Sequence, residues 1–248
     1  MEYVSIRVST LRGDLKINFN VYVKINEKYV LYLREGDSFE GDRLKRLREK
    51  KLKKMFIFAD DESTYRNYLR ANIDGAYDKN SKKDLNARAE IIQGHQQANT
   101  EEVLESPENP TNYLEAKNSA AQYVHFLLES TKSVSAILNI ENFDRDLAHH
   151  GVTVATYAVF LAHKLKMDSQ PMALSLMTLG ALLHDIGHVG TTLNLTRSPK
   201  SFNANEAALY QNHPTVGAQQ FQYKKPFDLQ VIRIINEHEE CIDGSGFP

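Results

Sequence analysis

The chain has 248 residues, and 30 Lys and Arg against 32 Asp and Glu give it a formal net charge of −2. A hydrophobic share of 42% and a charged share of 25% exclude wholesale disorder, and the near-neutral balance excludes the basic footprint of a DNA-binding protein. The lone cysteine, Cys241, excludes an internal disulfide framework. No apolar run reaches the roughly 18–20 residues of a membrane span, and the N-terminus lacks the order of a secretion signal, so a cytoplasmic protein of one or two domains is expected.

Residues 1–75 read as a small α+β domain with a regulatory or interaction role. From Ile17 to Ile25 apolar and polar residues alternate, which predicts a half-buried strand. Asn26-Glu27 predicts a turn into a second strand, Tyr29–Leu33. Leu44, Leu47 and Leu52 suggest a short helix, Met55–Ala59 a strand, and Asp61–Ile73 a helix. The basic residues between Arg43 and Lys54 are diluted by Glu40, Asp42 and Glu49, so they read as a solvated helix face. Residues 76–110 read as a helical linker, with a helix over Leu85–Leu104 that Ser106-Pro107-Glu108-Asn109-Pro110 breaks.

Residues 111–248 read as an all-α bundle. The predicted helices are Asn112–Leu138, Leu147–Leu165, Met172–Asp185, one starting at Asn203 and running to about Phe221, and Pro226–Glu240. Leu147–Leu165 and Met172–Asp185 are apolar almost all round, as buried helices would be. Asp168-Ser169-Gln170-Pro171 predicts a cap and a first-turn proline, and Asn203 with Glu206 a capping box. The last residues, from Asp243, have the composition of a loop.

Seven of the nine histidines fall between positions 149 and 238. His184-Asp185 closes an apolar helix, where a buried unpaired carboxylate would be costly. His150, with Asp146 one turn before it on the same face, His213, and His238 with Glu239 and Glu240 occupy three further helices. Bundle cores build dinuclear metal sites from ligands that project inward in this way, and a carboxylate shared by two cations offsets its own burial cost. Two metals about 3.5–4 Å apart suit the in-line displacement of a phosphoester.

The order His150, His184-Asp185, His213, His238-Glu239-Glu240 and Asp243-Gly244-Ser245-Gly246-Phe247-Pro248 resembles the HD-GYP family of HD phosphohydrolases over about residues 146–248. His184-Asp185-Ile186-Gly187-His188 stands for the family's His-Asp-Ile-Gly-Lys. Ser198-Pro199-Lys200 stands for its Lys-Pro-Gly, and His213-Pro214-Thr215-Val216-Gly217 for its His-Pro-x-x-Gly. The resemblance implies an HD-type helical bundle after the α+β domain. It also implies a metal-dependent phosphodiesterase that opens cyclic di-GMP with a metal-bridging hydroxide. The cofactors implied are two divalent ions, iron foremost, with manganese or a similar cation as the alternative.

Matched to the family, His150, His184, Asp185, His213 and His238 are metal ligands, with Asp185 as the bridge. Asp146 stands where three-metal members place a glutamate, and an ordinary first-turn carboxylate is the alternative. Three positions depart from the pattern. Glu239 replaces a histidine and can still ligate; His188 replaces a phosphate-contacting lysine, as a phosphate contact or general acid; Phe247 replaces the tyrosine. Arg197 and Lys200 are candidates for the lost phosphate contacts. A further family aspartate falls after Gly-Tyr-Pro, so the helical domain is expected to be incomplete at its C-terminus. The departures leave a second reading, a weakly active or inactive metal-binding receptor for cyclic di-GMP or for a signalling protein, and a third, hydrolysis of another nucleotide. Oligomerisation is left open.

Overall fold

The computed structural model describes residues 2–140, 146–221 and 226–248. Contacts divide the chain into two compact units, residues 1–98 with 135–145, and residues 99–134 with 146–248.

The first unit holds a four-stranded antiparallel sheet, ordered β1 (Tyr3–Arg7), β4 (Lys54–Phe58), β2 (Val21–Ile25) and β3 (Lys28–Leu33). The predicted turn is there: Asn26 and Glu27 both take positive φ, as a two-residue hairpin with the strands' right-handed twist requires. The strand expected from Ile17 begins only at Val21. Ile17, Phe19 and Val21 are buried, but Ile25 is 53% exposed, so the alternation reported burial only over its first part and misplaced the start of the ladder. The sequence reading assigned no strand to Tyr3–Arg7, which pairs along its whole length with β4.

Val4, Ile6, Val21, Val23, Met55 and Ile57 face a core completed by Leu11, Phe19, Phe39, α1 (Arg43–Glu49) and Tyr65 of α2 (Glu62–Tyr77). The opposite sheet face is aromatic: Tyr3 stacks on Tyr29 with ring centroids 3.9 Å apart, beside Tyr22, Phe56 and Phe58. Helix α3 (Leu85–Glu105) matches the helix expected in the linker.

The second unit is helical. The single helix expected over Asn112–Leu138 is two, α4 (Pro110–Leu127) and α5 (Thr131–Leu138). The apolar pattern runs through both, and Glu129 and Ser130 mark the break only weakly. Asn109 caps α4 by accepting from Thr111 N at 3.0 Å. Helix α7 (Pro171–Leu183) packs against α4, against α6 (Leu147–Lys164) and against α9 (Leu229–Glu237). That explains the apolar character of its buried part, Leu174–Leu183, which meets three other helices. Pro171 opens it as expected, but Asp168 does not cap it; that carboxylate pairs with His163 at 2.6 Å. The capping box at the start of α8 (Ala204–Phe221) is reciprocal, Asn203 N to Glu206 Oε2 at 2.8 Å and Glu206 N to Asn203 Oδ1 at 2.9 Å. Asp228, at the start of α9, is tied to α4 by Lys117 Nζ at 2.8 Å and the Tyr113 hydroxyl at 2.9 Å.

Among the described residues, no helix is long and apolar enough to cross a membrane.

Candidate metal centre

At its C-terminal end α7 tightens into a 3₁₀ turn, His184–His188, which swings His184 and Asp185 out of the apolar helix toward α8 and α9. Two glycines make the approach possible. A Cβ on Gly187 would strike the carbonyl of His213, and one on Gly151 would strike the carbonyl of Leu182. Backbone therefore meets backbone at the crossing of α6 with α7 and of the 3₁₀ turn with α8.

Asp185 is the hub. Its Oδ2 lies 3.3 Å from His184 Nε2 and 3.6 Å from His150 Nε2. Its Oδ1 lies 3.3 Å from His213 Nε2 and 3.6 Å from His238 Nε2. One carboxylate thus divides two groups of ligand atoms, His150-His184-Asp185 and Asp185-His213-His238. The two sides differ in access: the His150 side chain is 53% exposed, that of His213 only 1%.

The protonation of three rings follows from their other nitrogen. His184 Nδ1 lies 2.7 Å from Ala181 O, His213 Nδ1 2.5 Å from Tyr210 O, and His238 Nδ1 2.8 Å from Ile235 O. A carbonyl only accepts, so each Nδ1 carries a proton and each Nε2 is the atom turned toward Asp185, a donor to it when protonated and a ligand atom when not. The Nε2 atoms of His213 and His238 also face each other at 2.9 Å beside that carboxylate. Once deprotonated, two nitrogens at that distance repel unless a cation lies between them. Metal–nitrogen bonds of about 2.0–2.1 Å place neighbouring ligand atoms roughly 3.0–3.4 Å apart. The observed separations, 2.9–3.6 Å, bracket that spacing, and imidazole with carboxylate oxygen is a donor set that first-row divalent ions accept. The residues fit a metal.

Electrostatics agree. Burial alone would raise the Asp185 carboxyl, but hydrogen bonds from His184, His213 and His238 outweigh it and hold the group far below the usual carboxylate range. Burial pushes His184 down, and Asp185 more than reverses that; His150, losing solvent with less compensation, is lowered. Burial and the neighbouring His213 push His188 down to about 4.

The remaining candidates sit around this cluster in different ways. Asp146 caps α6, accepting from His149 N at 2.8 Å, and belongs to neither ligand group. Glu239 also stands outside the two groups; its Oε1 accepts from the Tyr210 hydroxyl at 2.7 Å. His188 is 4% exposed and stacks on His213, ring centroids 3.8 Å apart. Arg197 is held by Glu206 and the Ser201 carbonyl, each at 2.6 Å, and Lys200 is exposed on the same loop. Phe247 packs edge-on to Tyr210 at 6.0 Å and lies 6.5 Å from His213.

Tyr210 escaped the sequence reading. Its signal was its position one turn before His213 on the same helix face. Burial, then the adjacent Glu239 carboxylate, push its phenol above the usual range, so it remains a donor.

Residues 120–248 match the family model described as HD domain. Over 122 residues the chain is 25% identical to a protein of Pseudomonas aeruginosa named as a cyclic di-GMP phosphodiesterase, covering 49% of this chain and 29% of that one. It is 55% identical to the solved structure of Bd1817, an HDG"Y"P protein from Bdellovibrio bacteriovorus, with a TM-score of 0.91 over 99% of this chain and 80% of that one. The chain belongs to the HD domain family, in its HD-GYP branch.

Proposed function

We propose that the chain is a metal-dependent phosphodiesterase that hydrolyses cyclic di-GMP to a linear dinucleotide. The observation that carries this reading is the division of Asp185 between two histidine pairs whose Nε2 atoms all converge on it. His150, His184, Asp185, His213 and His238 would hold two divalent cations, with iron or manganese the expected kind. Such ions, when bound, supply charge to stabilise phosphoryl oxygens and to acidify water. The family and the Pseudomonas relative support a phosphohydrolase role. The chain spans less than a third of that relative, so the substrate is this proposal's own commitment.

The protein's groups divide the remaining work. The carbonyls of Ala181, Tyr210 and Ile235 lock three imidazoles in the ligating tautomer. The exposed His150 is where a bulky dinucleotide has access to Asp185, while His213 itself is buried. His188 does not bring the positive charge of the lysine it replaces. It is stacked and stays neutral above about pH 4, so any phosphate contact it makes is a neutral hydrogen bond. Arg197 is committed to Glu206 and Ser201, which leaves Lys200 as the exposed cation of that loop for a phosphate.

Those two observations, with Phe247, favour a second reading: a metal-bearing receptor that binds the cyclic dinucleotide, or a signalling partner, without turnover. Protein purified anaerobically, assayed for metal and then for cyclic di-GMP depletion with added Mn²⁺ or Fe²⁺, separates the two. The proposal expects linear product at a rate below that of relatives with an intact motif. Tight binding with no product selects the receptor, and turnover of a different nucleotide in a panel selects another substrate.

A further inference from the structure

We infer that Tyr210 is a positioning residue of the metal centre. Its hydroxyl orients Glu239 toward the cations. This inference rests on the metal-binding part of the proposed function and on none of its substrate chemistry.

Tyr210 reaches the centre twice. Its carbonyl accepts from His213 Nδ1 at 2.5 Å, and its hydroxyl donates to Glu239 Oε1 at 2.7 Å. One residue of α8 thereby sets an imidazole through its backbone and a carboxylate through its side chain. The ring is walled in by Phe202 at 5.7 Å, His188 at 5.5 Å, His213 at 5.2 Å and Phe247 at 6.0 Å, so the hydroxyl has one place to be. Glu239 directly follows the ligand candidate His238 on a backbone packed tightly against Gly246, where a Cβ would strike the Glu239 carbonyl. With main chain and Oε1 both fixed, Oε2 is the atom left to turn toward the Asp185 cluster. A glutamate beside a histidine ligand has many rotamers, and committing one oxygen to a rigid donor removes most of them.

The deletion that isolates the hydroxyl is Tyr210→Phe, which keeps every ring contact. Calorimetric titration of the full chain with Mn²⁺ alone, after chelator treatment, reads the effect without substrate. Orienting groups of this kind change metal affinity by roughly 10–100-fold, and Tyr210→Phe is expected at the lower end, with the melting temperature of the metal-free protein unchanged. In a Glu239→Gln background the same substitution is expected to add nothing, because its effect runs through Glu239. Unaltered Mn²⁺ affinity in Tyr210→Phe overturns the inference. So does an equal loss in both backgrounds, and so does a wild-type chain that takes up no Mn²⁺. A metal-loaded wild type that leaves cyclic di-GMP intact overturns the phosphodiesterase reading and leaves this result standing.

Discussion

The two units surround their apolar cores with different polar groups. The sheet unit packs Leu11, Ile17, Phe19, Phe39, Met55 and Ile57, all at 1% exposure or less, and buries Arg7, Arg12 and Arg88 around them. The helical unit has an apolar core too, but it also buries His184, His188 and His213 beside an anionic Asp185. The first kind of core is stable by itself, because removing hydrocarbon from water needs no further component. The second gathers four imidazoles around one carboxylate, an arrangement that could hold a cation. Stability can be built from side-chain volume alone, whereas a metal centre must hold groups that would rather be apart.

The largest test of that contrast is Asp185→Asn. Both ligand groups share this residue, so bound metal measured by elemental analysis should fall to background, while the far-ultraviolet circular dichroism of the sheet and helices persists. Retention of both ions would break the assignment. Next comes Gly187→Ala. A methyl there meets the His213 carbonyl and must push the 3₁₀ turn away from α8. Metal content is expected to drop by more than half, with a loss of stability of about 1–3 kcal/mol, the range for overpacking a close contact.

The sheet unit should answer in the other way. Phe19→Ala removes a ring 1% exposed and packed edge-on to Tyr65 and Tyr68. It should cost about 3–5 kcal/mol in denaturant unfolding with metal stoichiometry unchanged. Equal damage to metal binding would show that the two kinds of core are not separable.

The smallest effect concerns His95 on α3, whose imidazole burial lowers to about 4 from 6.5. The unfolded chain takes up this proton first as pH falls. The contribution to stability is therefore whole above pH 6.5, declines between 6.5 and 4, and falls no further once both states are protonated. Melting curves at pH 7 and pH 4.5 should differ by a few degrees less in His95→Gln than in the wild type.

Much of this was legible in one sequence. The turn at Asn26-Glu27, the capping box of Asn203 and Glu206 and the proline that opens α7 are local events, decided by residues a few positions apart. So was the content of the centre, because imidazoles and a carboxylate on apolar helices have few ways to be stable. The strand Tyr3–Arg7 was not legible. Five residues carry little periodic signal, and its ladder partner begins at Lys54. The break between α4 and α5 was hidden because an apolar face continues through it.

By itself the sequence determined which side chains are present and, where caps, turns and periodicity are strong, which element each occupies, since those depend on interactions within a few turns of chain. Only the tertiary structure decided what each of them touches. It made Asp146 a helix cap, laid His188 flat on His213, and joined Tyr210 to Glu239 across 29 positions. The physical reason is range: hydrogen bonds and ring stacking act over a few ångströms, and which distant residues come that close is settled by how α8 and α9 pack on the 3₁₀ turn.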